Sequence, residues 1–176
     1  MVKRKCVFLD RDGVINVPIF KDGRSFAPIL FDDFEIYPSA YDACQMLKKA
    51  GYLIVVITNQ PDVGNGKASK SEIERMNQYL KSEELVDDIF ICYHSQDEQC
   101  VCRKPKAGMI FQALEKYSID LGASFLVGDR KSDIEVAVSV NCKSIFIDHD
   151  YDEVKPVAQN ITLKSLKEAA EYILRF

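Results

Sequence analysis

The sequence predicts an α/β fold, a mostly parallel sheet with helices on both faces, and three observations carry that prediction. Short apolar runs rich in β-branched and aromatic residues alternate with stretches of helical periodicity. The runs are near-continuous in their apolar character, as strands buried on both faces require. Polar and charged residues gather just past the ends of these runs, where open α/β sheets bind their ligands.

The elements follow in order. Lys5–Leu9 (KCVFL) reads as the first strand. The segment 17–37 follows and should cap or border the ligand crevice; within it Lys21-Asp22-Gly23-Arg24 reads as a turn. Ala40, Ala43, Cys44 and Leu47 recur at helical spacing, with Ser39 as the expected N-cap and Gly51 as the stop. Leu53–Thr58 (LIVVIT) is the second strand. Ser71–Leu85 reads as a helix opened by a Ser71–Glu74 capping box, presenting Ile73, Met76 and Leu80 on one face. Ile89–Cys92, Phe125–Gly128 and Ser144–Asp148 supply three more strands. Ala107–Tyr117, Ser132–Val140 and Leu163–Phe176 supply three more helices, the last with an apolar stripe of Leu166, Ala169, Ala170, Ile173 and Leu174.

Composition narrows the class of function. A chain of 176 residues with 47% hydrophobic and 28% charged residues is expected to form a single domain over 1–176. A chain of that length needs no disulfide or metal merely to fold. The formal charge is 23 − 27 = −4 with no basic stripe, which argues against nucleic acid as a partner. The apolar runs are too short to span a bilayer, and the basic start enters an acidic motif at once, so neither membrane nor secretory signal is expected. A monomer in the cytoplasm is the expectation. There the six cysteines would stay reduced. Cys6, Cys44 and Cys142 stand apart among apolar neighbours as small core residues.

Four strand ends carry chemistry. The first is followed by Asp10-Arg11-Asp12-Gly13, the second by Thr58-Asn59-Gln60, the third by a Cys/His loop ending in Arg103-Lys104-Pro105, and the fourth by Asp129-Arg130-Lys131-Ser132-Asp133. Asp10 and Asp12 lie two apart, so in extended chain their carboxylates point the same way. A divalent cation would relieve their repulsion, with Asp129 as a third oxygen ligand; such a set suits Mg²⁺. Thr58, Asn59 and Lys104 add a hydroxyl, an amide and a positive charge. A phosphoryl group between that cation and those donors has the charge stabilisation that phosphoryl transfer needs. Each piece alone is a common surface turn or cap, but four in one order at successive strand ends are not.

The series resembles the haloacid dehalogenase-like (HAD-like) phosphohydrolase superfamily over the chain from the first strand to about Asp148. The resemblance implies a three-layer Rossmann-like fold and a Mg²⁺-dependent phosphomonoester hydrolase. In that pattern Asp10 is the nucleophile that forms an aspartyl-phosphate, and Asp12 protonates the leaving oxygen and then activates water. Thr58 and Lys104 hold the phosphoryl oxygens. Mg²⁺ is bound by Asp10, the Asp12 backbone carbonyl and Asp129, with Asp133 behind them.

Cys92-x-His94-x₅-Cys100-x-Cys102 adds a second metal signal, since three thiols and an imidazole suit tetrahedral Zn²⁺. Four protein ligands close the coordination shell, so the expected zinc is structural and stiffens the loop 92–102 that delivers Arg103 and Lys104. FLDRDGVIN, ITNQ, this loop, CRKP and GDR together resemble the small branch that lacks a large cap domain, which includes heptose 1,7-bisphosphate 7-phosphatases and histidinol-phosphatases. A small phosphorylated metabolite is therefore the expected partner: a heptose bisphosphate or related sugar phosphate, with histidinol phosphate as the alternative and a DNA 3′-phosphatase or a non-catalytic zinc-stabilised binding module as weaker ones. Asn59, Gln60, Arg103 and Arg130 are the expected substrate contacts. His149 reads as a loop residue.

Overall fold

The computed structural model describes residues 3–176. Its elements run β1 (Cys6–Leu9), β2 (Ile19–Lys21), β3 (Arg24–Phe26), α1 (Pro38–Lys49), β4 (Leu53–Asn59), α2 (Pro61–Gly64), α3 (Lys70–Ser82), β5 (Asp88–Cys92), α4 (Gly108–Lys116), β6 (Phe125–Gly128), α5 (Lys131–Ser139), β7 (Lys143–Ile147), β8 (Ile161–Leu163) and α6 (Leu166–Ile173). Six strands form one sheet in the order β5-β4-β1-β6-β7-β8, and every pairing in it is parallel.

Side chains alternate across that sheet and divide the core in two. Val7 and Leu9 join Ile54, Val56 and Val127 against α1 and α6, through Ala40, Ala43, Leu47, Ala169 and Ile173. Cys6 and Phe8 join Leu53, Val55 and Ile57 against α4 and α5, through Met109, Ile110, Ala113, Val136 and Ala137. Burying both faces is what made the strands read as continuous apolar runs. Cys44 and Cys142 lie in these cores, where burial pushes their thiols up to about 12. No large cap domain is present among the described residues, and none of their helices is long and apolar enough to cross a membrane.

The chain leaves β1 for β4 and β5 on one side, then returns to β6 on the other. The strand order therefore reverses between β1 and β6, the place where such sheets open a crevice. Leu9 is abreast of both Val56 and Val127. Asp10, Thr58 and Asp129 accordingly emerge at one edge, within about one residue of each other along the strands.

Several local expectations change. The first helix begins at Pro38 with Tyr37 at the N-cap position, so Ser39 lies inside it. Proline is favoured in the first turn because it has no N–H to leave unpaired. The expected capping box does not form: α3 is entered through Ser69, whose hydroxyl meets that of Ser71 at 2.6 Å. Residues 161–163 form the edge strand β8, and α6 starts only after Ser165, whose hydroxyl accepts from Glu168 N–H. The Asp22-Gly23 turn closes a β2–β3 hairpin, both residues at positive φ (52° and 75°), as a type I′ turn requires.

Asp88 ties β5 to two helices, accepting from Lys81 Nζ (2.9 Å), Lys116 Nζ (2.7 Å), Tyr117 Oη (3.0 Å) and Ile89 N–H (2.9 Å). Burial opposes its charge, but these donors overcome it and hold the carboxyl well below the usual range. A depressed carboxylate adds stability above its unfolded pKa of about 4, and that stability drains away as pH falls. Asp88→Asn should therefore lower the melting temperature at pH 7 and lose that deficit progressively below about pH 4. Melting curves against pH that run parallel for the two proteins would contradict this.

Candidate active site

The chain coils immediately after Asp10. Gly13 N–H donates to Asn16 O (2.8 Å), and Ile15 N–H to Arg11 O (2.9 Å). Extended geometry therefore ends at Asp10, although both carboxylates still line one cavity. Asp12 accepts from Arg11 Nη2 (3.1 Å) and Asn16 Nδ2 (3.0 Å) on one oxygen, and from Gln60 Nε2 (2.7 Å) on the other. Arg11 has no exposed surface; its guanidinium also donates to Asn77 Oδ1 at 3.1 Å and stands over the Phe34 ring. Gln60 spends the same amide on Thr58 Oγ1 (2.9 Å). Gln60 is thus a buried support for Asp12 and Thr58, and it is not among the residues that line the cavity described below.

Lys104 is the centre of the site. Its ammonium meets Asp10 Oδ1 at 2.9 Å, Asp133 Oδ1 at 2.5 Å and Ile57 O at 3.0 Å. Asn59 fixes its backbone from both sides, accepting from Lys104 N–H (3.1 Å) and donating to Lys104 O (3.3 Å). Asp133 is held in turn by Arg130 N–H on its second oxygen (3.0 Å). Gly128 allows that approach, since a Cβ there would lie 2.2 Å from Asp133 Cβ.

Asp129 completes the constellation and has no partner. Both its carboxylate oxygens are buried without a hydrogen bond. Gly13, at φ +86°, cradles it so closely that a Cβ would fall 2.0 Å from Asp129 Oδ2. Oxygens of Asp10, Asp129 and Asp133 lie within 4.8 Å of one another. Burial, first, and then the charges of Asp10 and Asp133 push the Asp129 carboxyl well above its ordinary value. Burial also lifts Asp10 to about 6, against the pull of Lys104. When ionised together, three buried carboxylates facing one ammonium would leave about two negative charges uncompensated, which is why burial favours the protonated forms of Asp10 and Asp129 until a cation is bound. That deficit, with an orphaned acid among oxygen donors, fits a divalent cation of the Mg²⁺ type. The Asp12 side chain lies outside this cluster.

The second metal signal also assembles. Cys92 Sγ lies 3.7 Å from Cys100 Sγ and 3.5 Å from His94 Nδ1, which lies 3.2 Å from Cys102 Sγ. A tetrahedron with Zn–S bonds of ~2.3 Å has S···S edges of roughly 3.8 Å. The four side chains are thus already spaced as zinc ligands. Gly64 and Gly108 let the neighbouring helices press on this loop, where a Cβ would come within 2.5 Å of Ser95 N and 2.4 Å of Val101 O. Gln60 N–H donates to Cys92 O, so the loop and the second strand end move together.

These groups open into a cavity of about 1020 Å³ lined by Asp10, Asp12, Asn59, Arg103 and Lys104 on one side and by Arg24–Ala27, Arg130–Ser132 and Asp152–Val154 on the other. Arg103 Nη1 is buried there without a partner. Arg130 lines the cavity but is largely committed: it donates to Ser25 O and Oγ (both 2.7 Å) and pairs with Glu153 (3.1 Å). His149 is a loop residue, as expected, yet its Nε2 meets Gly13 O at 2.6 Å and so pins the turn below Asp129. Arg11, Asn77, Ser25 and His149 are the supports that sequence reasoning did not single out. An arginine between two aspartates and an Asn on the apolar face of a helix were the available signals for the first two.

Residues 101–169 match the family model described as HAD-hydrolase-like. The D-glycero-beta-D-manno-heptose-1,7-bisphosphate 7-phosphatase of Helicobacter pylori (strain J99) is 31% identical over 175 residues, covering 96% of this chain and 97% of its own. The corresponding alpha-anomer enzyme of Photorhabdus laumondii is 37% identical over 157 residues, 82% of each chain. The crystal structure of D,D-heptose 1,7-bisphosphate phosphatase from B. bronchiseptica, complexed with magnesium and phosphate, has a TM-score of 0.81 and 27% identity, covering 97% of this chain and 98% of that one. The chain belongs to the family that these 7-phosphatases form.

The sulfur and nitrogen spacing predicts that purified protein carries about one zinc per chain by atomic absorption. Cys100→Ser should lose most of it and melt more than about 5 °C lower, the shift that roughly 2 kcal/mol produces in a chain of this size. Metal-free wild-type protein that melts at the same temperature as the zinc-loaded form would contradict the structural role.

Proposed function

We propose that the protein is a Mg²⁺-dependent phosphatase that removes the 7-phosphate of a D-glycero-D-manno-heptose 1,7-bisphosphate through an aspartyl-phosphate at Asp10. One observation carries the chemical part: the unpartnered Asp129 carboxylate beside an Asp10–Lys104 ion pair, at the switch point of a parallel sheet. The substrate rests on the relatives, whose names specify that bisphosphate.

Mg²⁺ would be held by Asp10, Asp129 and the backbone carbonyl of Asp12, and supplies positive charge to the phosphoryl oxygens. Oδ1 of Asp10 is occupied by Arg11 N–H and Lys104, which leaves Oδ2 to attack phosphorus. As that bond forms, the bond to the sugar oxygen breaks, and Asp12 delivers a proton to the departing oxygen. Asp12, now a carboxylate, takes a proton from water as the water attacks the phosphoryl group, freeing Asp10 and inorganic phosphate. Arg11, Asn16 and Gln60 hold Asp12 at its station through both steps. Lys104 and Thr58 steady the phosphoryl oxygens, and Lys104 screens Asp10 from Asp133. Asp133 keeps Lys104 charged and in place. Arg103, with its buried unpaired N–H, meets the substrate.

The zinc cluster acts at a distance, by stiffening the loop that ends in Arg103 and Lys104. The enzyme handles a small phosphorylated sugar, and we infer that it does so as a cytoplasmic monomer.

Asp10→Asn tests the reading, because it preserves shape and removes the nucleophile. Turnover of the bisphosphate should fall by ~10⁴-fold or more, with zinc content and melting temperature retained. Substantial residual turnover would overturn the nucleophile assignment. Histidinol phosphate and an aryl phosphate should be hydrolysed orders of magnitude more slowly by the wild type; equal rates would remove the heptose assignment.

A further inference from the structure

The cavity is larger than one phosphoryl group needs, and its charges do not cancel in the way its chemistry alone would require. Lys104 is neutralised by Asp10 and Asp133, Arg130 by Glu153, and Lys131 by Glu135 at 3.5 Å. Three lining cations then remain without an ion pair among the described residues: Arg24 on β3, Lys67 after α2, and Arg103 behind the Cys/His loop. They come from three separate elements and face one space. Two lining carboxylates, Asp62 and Asp152, are likewise without a cation.

The hairpin that carries Arg24 is held in position. Along β3 the burial alternates, so that Ser25 is buried while Arg24 and Phe26 stand free. Ser25 is gripped through its carbonyl and hydroxyl by Arg130, the residue between Asp129 and the first turn of α5. Asp152 N–H donates to Gly23 O (3.1 Å), and the Phe20 ring lies 6.0 Å from that of Tyr151. The hairpin is therefore fastened beside Asp129 with its arginine uncommitted.

We propose that Arg24 is a specificity-determining residue, which with Lys67 and Arg103 binds a second anionic group of the substrate, a phosphate remote from the one cleaved at Asp10. The planar fork of Arg24 suits two phosphate oxygens, while Lys67 contributes a point charge. Asp62 and Asp152 accept hydrogen bonds from hydroxyls on the carbon chain between the two phosphates. The site then discriminates a bisphosphorylated polyol from its monophosphate by charge. This inference rests on the reading of the substrate as a bisphosphate.

The test compares heptose 1,7-bisphosphate with heptose 7-phosphate as the ratio of their kcat/KM values, in wild type, Arg24→Ala and Arg24→Lys. Wild type should favour the bisphosphate. Arg24→Ala should reduce that ratio by about 10–100-fold, mainly through KM, because a charge-assisted contact to the second phosphate is lost. Arg24→Lys should recover part of it. A wild type that prefers the bisphosphate, with the ratio unchanged in Arg24→Ala, overturns the role of Arg24 and leaves the substrate assignment standing. A wild type with no preference overturns both. A fall in kcat/KM by the same factor on both substrates also defeats the inference, since it would place Arg24 in support of the cleaved phosphate alone.

Discussion

The ammonium of Lys104 is the point on which the rest of this structure depends. It sits at 4% exposure in contact with two buried carboxylates, in a pocket where a third has no partner. An isolated buried charge would be heavily penalised, and a buried pair repays its desolvation only when geometry and hydrogen bonding are good. Much of the local architecture serves that condition. Asn59 grips the lysine backbone on both sides, Arg130 N–H satisfies the far oxygen of Asp133, and Ile57 O takes an ammonium proton. What is left over is a net negative pocket, and that excess makes the site a receiver of Mg²⁺ and, through it, of phosphate.

Around this pocket the structure assigns stiffness to loops, which otherwise move most. A metal held by the Cys/His cluster would fix the segment before Arg103 and Lys104, and close glycine contacts at Gly64 and Gly108 bring two helices against it. On the opposite wall, Arg130 fastens the β2–β3 hairpin, while His149 holds the turn that cradles Asp129. Asp10 thus lies between two walls, one bearing the Cys/His cluster and the other fastened by a guanidinium. Preorganised charge of this kind costs no rearrangement during reaction, which is where most of the advantage in phosphoryl transfer lies.

Much of the site was legible in the sequence because parallel sheets put their functional residues immediately after strands. Asp10 and Asp129 follow β1 and β6 directly and Thr58 lies at the end of β4, so their convergence could be read from that rule, and the clustering of the four Cys/His positions from ligand types. What escaped was non-local. Arg11 lies beside Asp12 in sequence, but it is held by Asn77 in the middle of α3, and the commitment of Arg130 depends on Ser25, more than a hundred residues earlier. The hydrogen bonds that hold Asp12 escaped too, because they depend on the turn that Gly13 permits after the strand and not on extended chain. Edge strand β8 and the hairpin strands escaped for another reason: three-residue strands bury too little to leave a periodic signature.

Phosphorus-31 NMR of the wild-type reaction with heptose 1,7-bisphosphate and Mg²⁺ tests the central claim most directly, because it reports which ester is cut. The expected result is loss of the C7 resonance with an equal gain of inorganic phosphate, the C1 resonance persisting, at a kcat/KM of about 10⁵ M⁻¹s⁻¹ or more. Loss of the C1 resonance, or no release of phosphate in Mg²⁺, would contradict it.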